Sequence, residues 1–252
     1  MSSKEGFKGR LIIVTGASSG IGRGTAIHLS SMGARLVLIA RSENRLRDTL
    51  ENLTGTGHSY YVFDFNNTEQ IGDLILRIKT EQGVISGLVH CAGIAPMRPL
   101  SMSNFEFMHT TFKVNFYSFV ELMRNISKKG IFVTPCSCVA ISSIASKVGD
   151  KSKIAYCSSK AALDGGIRSL AKELSSKEIR VNSVVPGYIE TEMTKEYART
   201  AGTETYNDTI FSRQYLGVGT IQDVSSAITF LLGDESRFIT GTGLVVDGGY
   251  LS

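Results

Sequence analysis

Thr15-Gly16-Ala17-Ser18-Ser19-Gly20-Ile21-Gly22 is the stretch on which the fold of this 252-residue chain turns. The β-branched run Leu11–Val14 precedes it, and an amphipathic stretch of helical length, Ile21–Met32, follows. Glycines at this spacing between a strand and a helix give a tight turn, let the backbone approach a pyrophosphate, and allow helix and strand to pack closely. The N-terminus of the helix then offers free N–H groups and the positive end of its dipole to an anion. A Gly-rich βα turn without a ligand would show the same spacing. Its place after the first strand favours a dinucleotide, with Gly16, Ser18, Ser19, Gly20, Ile21 and Gly22 as contacts.

Beyond this turn the apolar pattern alternates between two periods. Short runs at Leu36–Ala40, Tyr60–Phe63, Gly87–Cys91, Val139–Ser142, Val181–Val185 and Gly243–Val246 read, with Leu11–Val14, as seven buried parallel strands. Amphipathic stretches at Glu69–Glu81, Phe105–Ser127, Ala155–Ser176 and Val224–Leu232 lie between them. Three helix starts have the spacing of capping boxes: Asn67 with Gln70, Ser103 with Glu106, and Thr220 with Asp223. Such alternation predicts an α/β fold, a doubly wound parallel seven-stranded sheet with helices on both faces. No linker divides the chain, so a single domain is expected. Glu190–Gly219, polar and weakly periodic, is expected to be a substrate lid.

Composition bounds the function. With 42% apolar and 20% charged residues the chain is not disordered. Its 27 Lys and Arg exceed 23 Asp and Glu by four without forming a block, so neither nucleic acid nor a membrane is an expected partner. Apolar runs such as Leu36–Ala40 are far shorter than the roughly 20 residues of a membrane span. Met1–Arg10 has no apolar stretch of a signal peptide, and a cytosolic location is expected. Cys91, Cys136, Cys138 and Cys157 are too sparse for a disulfide scaffold. The Cys-x-Cys pair lacks two further ligands at zinc spacing, so no metal site is expected.

The end of the second strand bears on the choice of dinucleotide. An NAD site usually has a carboxylate there for the ribose 2′-hydroxyl. Here Ala40 is followed by Arg41, a guanidinium able to pair a 2′-phosphate, which favours NADP(H) over NAD(H). A solvated arginine starting a helix is the plainer alternative. Further on, Tyr156 and Lys160 are four apart on one helix face, and Ser143 stands at the end of a strand, where open α/β sheets bind ligands. A phenol, a hydroxyl and an ammonium together supply what carbonyl reduction needs.

The glycine octet, the Ser143, Tyr156, Lys160 spacing, Pro186-Gly187 and the ending Val246-Asp247-Gly248-Gly249 resemble the short-chain dehydrogenase/reductase family over essentially the whole chain. The resemblance implies a single Rossmann domain, an NAD(P)-linked oxidoreductase and a homotetramer. It implies Tyr156 as general acid in reduction and base in oxidation, Ser143 as holder of the carbonyl oxygen, and Lys160 as ligand of the nicotinamide ribose. Asn115 would support a water-linked proton relay. Asp64 and Phe65 would meet the adenine, Pro186, Gly187, Ile189 and Thr191 the nicotinamide end. Where the family has Asn-Asn-Ala-Gly, this chain has His90-Cys91-Ala92-Gly93. Cys91, Ala92 and Gly93 keep the backbone approach to the adenine ribose, but the amide hydrogen bonds are expected to be lost. His90 is read as a packed sheet residue.

Within the family, Ile189-Glu190-Thr191-Glu192-Met193-Thr194 and Ile239-Thr240-Gly241 resemble 3-oxoacyl-acyl-carrier-protein reductases of fatty acid biosynthesis. The resemblance places one basic docking residue for an acidic acyl carrier protein at Lys172. The other falls near the uncharged Thr134, with Lys128 and Lys129 close by. Three functions remain open: reduction of a 3-oxoacyl thioester, reduction of another ketone, sugar or steroid, and a dinucleotide sensor without turnover.

Overall fold

A computed structural model describes residues 6–201 and 213–252. Seven strands form one sheet in the order β3-β2-β1-β4-β5-β6-β7, all neighbours parallel. The strands are β1 (Leu11–Thr15), β2 (Arg35–Ala40), β3 (Ser59–Val62), β4 (Ile85–His90), β5 (Phe132–Ile141), β6 (Ile179–Pro186) and β7 (Gly243–Val246). Each run expected from the sequence is present, with ends moved by a few residues except at β5. That strand begins seven residues earlier than its apolar run, because its first residues, Phe132 to Pro135, are not buried. Cys136 and Cys138 consequently lie within β5, both buried.

Strand alternation sorts the core into two layers. Leu11, Ile13, Val37 and Ile39 face α3 (Ile71–Gln82), α5 (Ser118–Ile126) and α6 (Ile154–Leu174). Ile12, Val14, Leu36 and Leu38 face α1 (Gly20–Ser31), α2 (Glu43–Glu51) and the helix Ile221–Leu232, here α8. The remaining α-helices among the described residues are α4 (Phe105–Phe112) and α7 (Glu192–Ala201). A π turn at Lys113–Tyr117 joins α4 to α5, so the single helix expected over Phe105–Ser127 is one helical run with a local irregularity. Helix α2, with two buried residues, had too short an apolar stripe to stand out. Of the expected lid, Glu192–Ala201 is helical; residues 202–212 lie outside the described residues.

The capping expectations divide. Thr220 and Asp223 form the reciprocal box at the start of α8. Asn67 makes no side-chain cap bond, since a short 3₁₀ turn, Thr68–Gln70, intervenes before α3. At α4 the cap shifts by one residue: Asn104, not Ser103, accepts from the Phe107 N–H. No described helix is long and apolar enough to cross a membrane. Replacing Thr220 by Ala removes the box and is expected to lower stability by about 1 kcal/mol, read from urea unfolding. No change in the midpoint would contradict that role.

Candidate active site

The strand order reverses between β1 and β4, and in open α/β sheets a ligand crevice opens at such a switch point, outside the C-terminal strand ends. A cleft of about 1130 Å³ lies there. Its wall contains Gly16, Ser18, Ser19, Gly20, Ile21, Gly22, Arg41, Asp64, Phe65, Cys91, Ala92, Gly93, Ser143, Tyr156, Lys160, Pro186, Gly187, Ile189 and Thr191. The structure thus gathers the catalytic and cofactor-binding residues singled out from the sequence into one cleft, save Asn115, which is fully buried.

The three glycines of the first turn have separate tasks. Gly16 has φ +64°, and a Cβ there would stand 2.8 Å from the Cys91 carbonyl carbon, so its absence draws the β1 and β4 turns together. A Cβ on Gly22 would run into the Gly16 carbonyl, so α1 could not close on the turn. Gly20 takes φ +50°, a left-handed conformation that a side chain disfavours. Ser19, the N-cap of α1, makes no side-chain cap bond, leaving its hydroxyl and the first-turn amides to the cleft. A dinucleotide pyrophosphate fits this donor set.

The amide hydrogen bonds expected to be lost after β4 are absent, and the packed His90 makes others in their place. Its Nδ1 lies 3.0 Å from the Thr15 hydroxyl, which accepts from the Ala92 N–H at 3.1 Å. Its Nε2 lies 3.4 Å from the Ser118 hydroxyl, which donates to the Val114 carbonyl at 2.7 Å. With the proton on Nε2 every donor in this chain has an acceptor, and the imidazole takes over the bracing expected of amides. Phe65 packs edge-on against the ring, and Phe119 packs beside it. Burial holds the imidazole neutral, with its pKa pushed down to about 3.

Lys160 is almost fully buried, and its ammonium donates to the Ile141 carbonyl at 2.7 Å, where β5 ends. Burial lowers its pKa to about 8. The ammonium stands 5.9 Å from the centre of the Tyr156 ring. Burial pushes the Tyr156 phenol up, while the neighbouring Ser143 hydroxyl pulls it back down. Ser143 Oγ accepts from the Ala145 N–H at 3.1 Å, which leaves its proton available. Asn115 donates to the Ile94 carbonyl and to Ser159 Oγ, both at 2.9 Å, and accepts from the Ile94 N–H at 2.8 Å. Its side chain therefore braces the turn after β4 against α6. A Cβ on Gly93 would sit 3.3 Å from Asn115 Oδ1, a tight contact, and 3.5 Å from the Lys160 ammonium, an ordinary one.

At one end of the cleft Arg41 follows the buried Ala40, and Arg45 pairs with Glu192 of α7 at 3.1 Å. Asp64 accepts from the Asn66 backbone and side chain. Also in the cleft, Thr191 is held by Thr194, and Gly187 continues β6 by donating to Val246. Gln214, buried, clamps this turn by accepting from the Tyr188 N–H and donating to the Tyr188 carbonyl. Sequence reasoning missed Gln214, as a lone glutamine in a polar stretch carries no periodic signal. It also missed Asp150, Lys153, Tyr188 and Tyr250, which line the cleft.

Lys172 is exposed sixteen residues beyond Tyr156, about 24 Å along α6 by helical rise. Lys177 donates to the Ser127 carbonyl, which joins the turn after α6 to the end of α5, beside Lys128 and Lys129. These ammonium groups thus stand away from Tyr156 within one chain.

The neutral His90 gives a pH test. Unfolded, the imidazole takes up a proton near pH 6.5, whereas in the fold it does so near 3. Its contribution to stability is full above about 6.5 and is lost as the pH falls towards 3. His90→Asn is expected to flatten the pH dependence of urea unfolding across that window; an unchanged slope would contradict the bridge.

The family model described as enoyl-(acyl carrier protein) reductase matches residues 16–251. Carbonyl reductase family member 4 of Danio rerio is 34% identical over 244 residues, covering 95% of this chain and 97% of the relative. The 3-oxoacyl-acyl-carrier-protein reductase of Escherichia coli K12 is 31% identical over 244 residues, covering 96% and 98%. Among solved structures, a 4-hydroxyisoleucine dehydrogenase complexed with NADH superposes with TM-score 0.88 at 29% identity, covering 96% and 98%. An actinorhodin polyketide ketoreductase with NADPH gives TM-score 0.89 at 27% identity, covering 96% and 97%.

Proposed function

Since the chain belongs to the short-chain dehydrogenase/reductase family of oxidoreductases, we propose that it is an NADPH-dependent reductase of a ketone carried as a 3-oxoacyl thioester. The observation that carries this reading is the meeting of Ser143, Tyr156 and Lys160 with the glycine turn in one cleft. Gly16, Ser18, Ser19, Gly20, Ile21 and Gly22 would hold the pyrophosphate, Asp64 and Phe65 the adenine, and Cys91, Ala92 and Gly93 the adenine ribose. Pro186, Gly187, Ile189 and Thr191 would hold the nicotinamide end. When bound, the dinucleotide supplies a hydride to the carbonyl carbon. Ser143 donates to the carbonyl oxygen, and Tyr156 delivers its proton there, becoming phenolate. The Lys160 ammonium favours that phenolate and would bind the nicotinamide ribose. Asn115 keeps the turn after β4 and α6 in register, which supports a water-linked relay returning the proton to Tyr156.

Arg41 has no ion-pair partner among the described residues, and Ala40 presents no carboxylate, which supports recognition of a 2′-phosphate. The substrate end is lined by Ile94, Met97, Ile144, Val148, Tyr188 and Tyr250. That largely apolar wall supports an acyl chain or another apolar ketone over a sugar. The 3-oxoacyl reductases among the relatives support the thioester. Lys128, Lys129 and Lys172 would offer charge to an acyl carrier protein, which would need a long arm to reach Tyr156 from there. The resemblance carries with it a cytosolic homotetramer in fatty acid biosynthesis, checked by sedimentation velocity.

Positioned acid–base catalysis supplies roughly 10²–10⁴-fold, so Tyr156→Phe is expected to lower kcat by at least about 10² with cofactor binding retained. A smaller loss would remove Tyr156 from the proton transfer. A charge-assisted hydrogen bond contributes about 1.5–3 kcal/mol, so Arg41→Asp is expected to shift the ratio of kcat/KM for NADPH over NADH by at least about tenfold towards NADH. NADPH depletion with acetoacetyl and longer 3-oxoacyl thioesters, beside a panel of ketones and sugars, tests the substrate. Turnover of ketones but no thioester would overturn the thioester reading, and NADPH binding without any turnover would favour a sensor.

A further inference from the structure

The segment leading into α6 carries two charges into the substrate end of the cleft. Lys153, the N-cap residue of α6, stands three positions before Tyr156 and pairs with Asp150 at 2.8 Å. Both side chains line the cleft, and both are largely withdrawn from water, at 12% and 31% exposure. The backbone of the segment is hydrogen-bonded at both residues before the helix. Ser152 takes φ +63°, its carbonyl accepts from the Arg98 N–H at 2.7 Å, and the Lys153 carbonyl accepts from the Cys157 N–H at 2.9 Å. Partly desolvated charges that share a cleft with a phenol act on it more strongly than charges in water.

The groups around Tyr156 can be named element by element. Lys160 and Cys157 come from its own helix, Ser143 from the turn after β5, and Asp150 and Lys153 from the segment before α6. Cys91 after β4, Tyr188 after β6, Glu192 and Glu196 on α7, and Tyr250 near the C-terminus line the same cleft. Arg41, Arg45 and Asp64 also line it, Arg45 being paired with Glu192. The Asp150 carboxylate raises the phenol's pKa, as does Cys157 to a larger degree.

Resting on the reading of Tyr156 as the proton carrier, we propose that Asp150 and Lys153 are positioning residues that together set the electrostatic potential at the Tyr156 hydroxyl. Asp150 opposes the phenolate, and Lys153, by pairing with Asp150, limits that opposition. The two charges therefore act on Tyr156 with opposite sign. Fold-holding alone would give them no such opposition.

The test is titration of Tyr156 by ¹³C NMR in protein labelled at tyrosine Cζ, with Tyr156→Phe assigning the resonance, and needs no turnover. Asp150→Asn is expected to move the titration to lower pH, and Lys153→Gln to higher pH, each by about half a unit or more. The double variant returns close to the parent, and Lys153→Arg matches it. The rise of alcohol oxidation with pH, measured on a 3-hydroxybutyryl thioester, moves in the same directions. Titrations that coincide with the parent, or that move in the same direction in both single variants, overturn the proposal. If Tyr156→Phe keeps full oxidation rates while the NMR shifts are as expected, the pair acts on Tyr156 but the catalytic reading beneath it fails.

Discussion

The site depends on one buried ammonium. Lys160 sits in a wall of strand ends with almost no access to water, and an uncompensated charge in such surroundings costs several kcal/mol. Its bond to the Ile141 carbonyl offsets part of that cost, and the nearby Asp164 carboxylate, held by Ser146, Lys147 and Ser183, favours the charged form. What remains shows as a pKa lowered to about 8. Much of the local architecture follows from giving this group room. A side chain at Gly93 would press against the Asn115 amide and touch the ammonium. Asn115 in turn holds Ile94 and Ser159, fixing the helix from which Lys160 and Tyr156 project.

The sheet supplies the frame for that contact. Parallel strands bring β1, β4, β5 and β6 to one edge, and the two helical layers leave a crevice where the order reverses. His90 then ties three elements together through Thr15, the Ala92 amide and Ser118. Without a strong brace at the end of β4, the Gly16 turn would not meet the Cys91–Gly93 backbone at the closeness that a missing Cβ permits. An imidazole can serve here because its two nitrogens reach in opposite directions.

Strand runs, the glycine turn and the Ser143, Tyr156, Lys160 spacing were legible because each carries a periodic or steric signature. Their convergence in one cleft follows from strand order, which is set by long-range pairing and could be anticipated from the fold class. Other features had no local signature. Gln214 acts on Tyr188 across 26 positions, and the Asp150–Lys153 pair looks in sequence like any surface i, i+3 pair. The imidazole bonds that replace the lost amides at His90-Cys91-Ala92-Gly93 carry no local signature either, since the ring's partners, Thr15 and Ser118, lie 75 and 28 positions away. Asn104 displaced Ser103 as a cap because capping depends on one residue's backbone angles, which spacing alone does not resolve.

In the proposed reaction a hydride reaches a carbonyl carbon in this cleft while Tyr156, kept in poise by Lys160, supplies the proton. Mass spectrometry of the product formed from a 3-oxoacyl thioester and NADPH deuterated on the transferring face measures that event most directly. The expected product is a 3-hydroxyacyl thioester carrying one deuterium at the former carbonyl carbon, with its formation greatly slowed in Lys160→Met. A product without deuterium, or equal rates of labelled product in Lys160→Met and the parent, would contradict it.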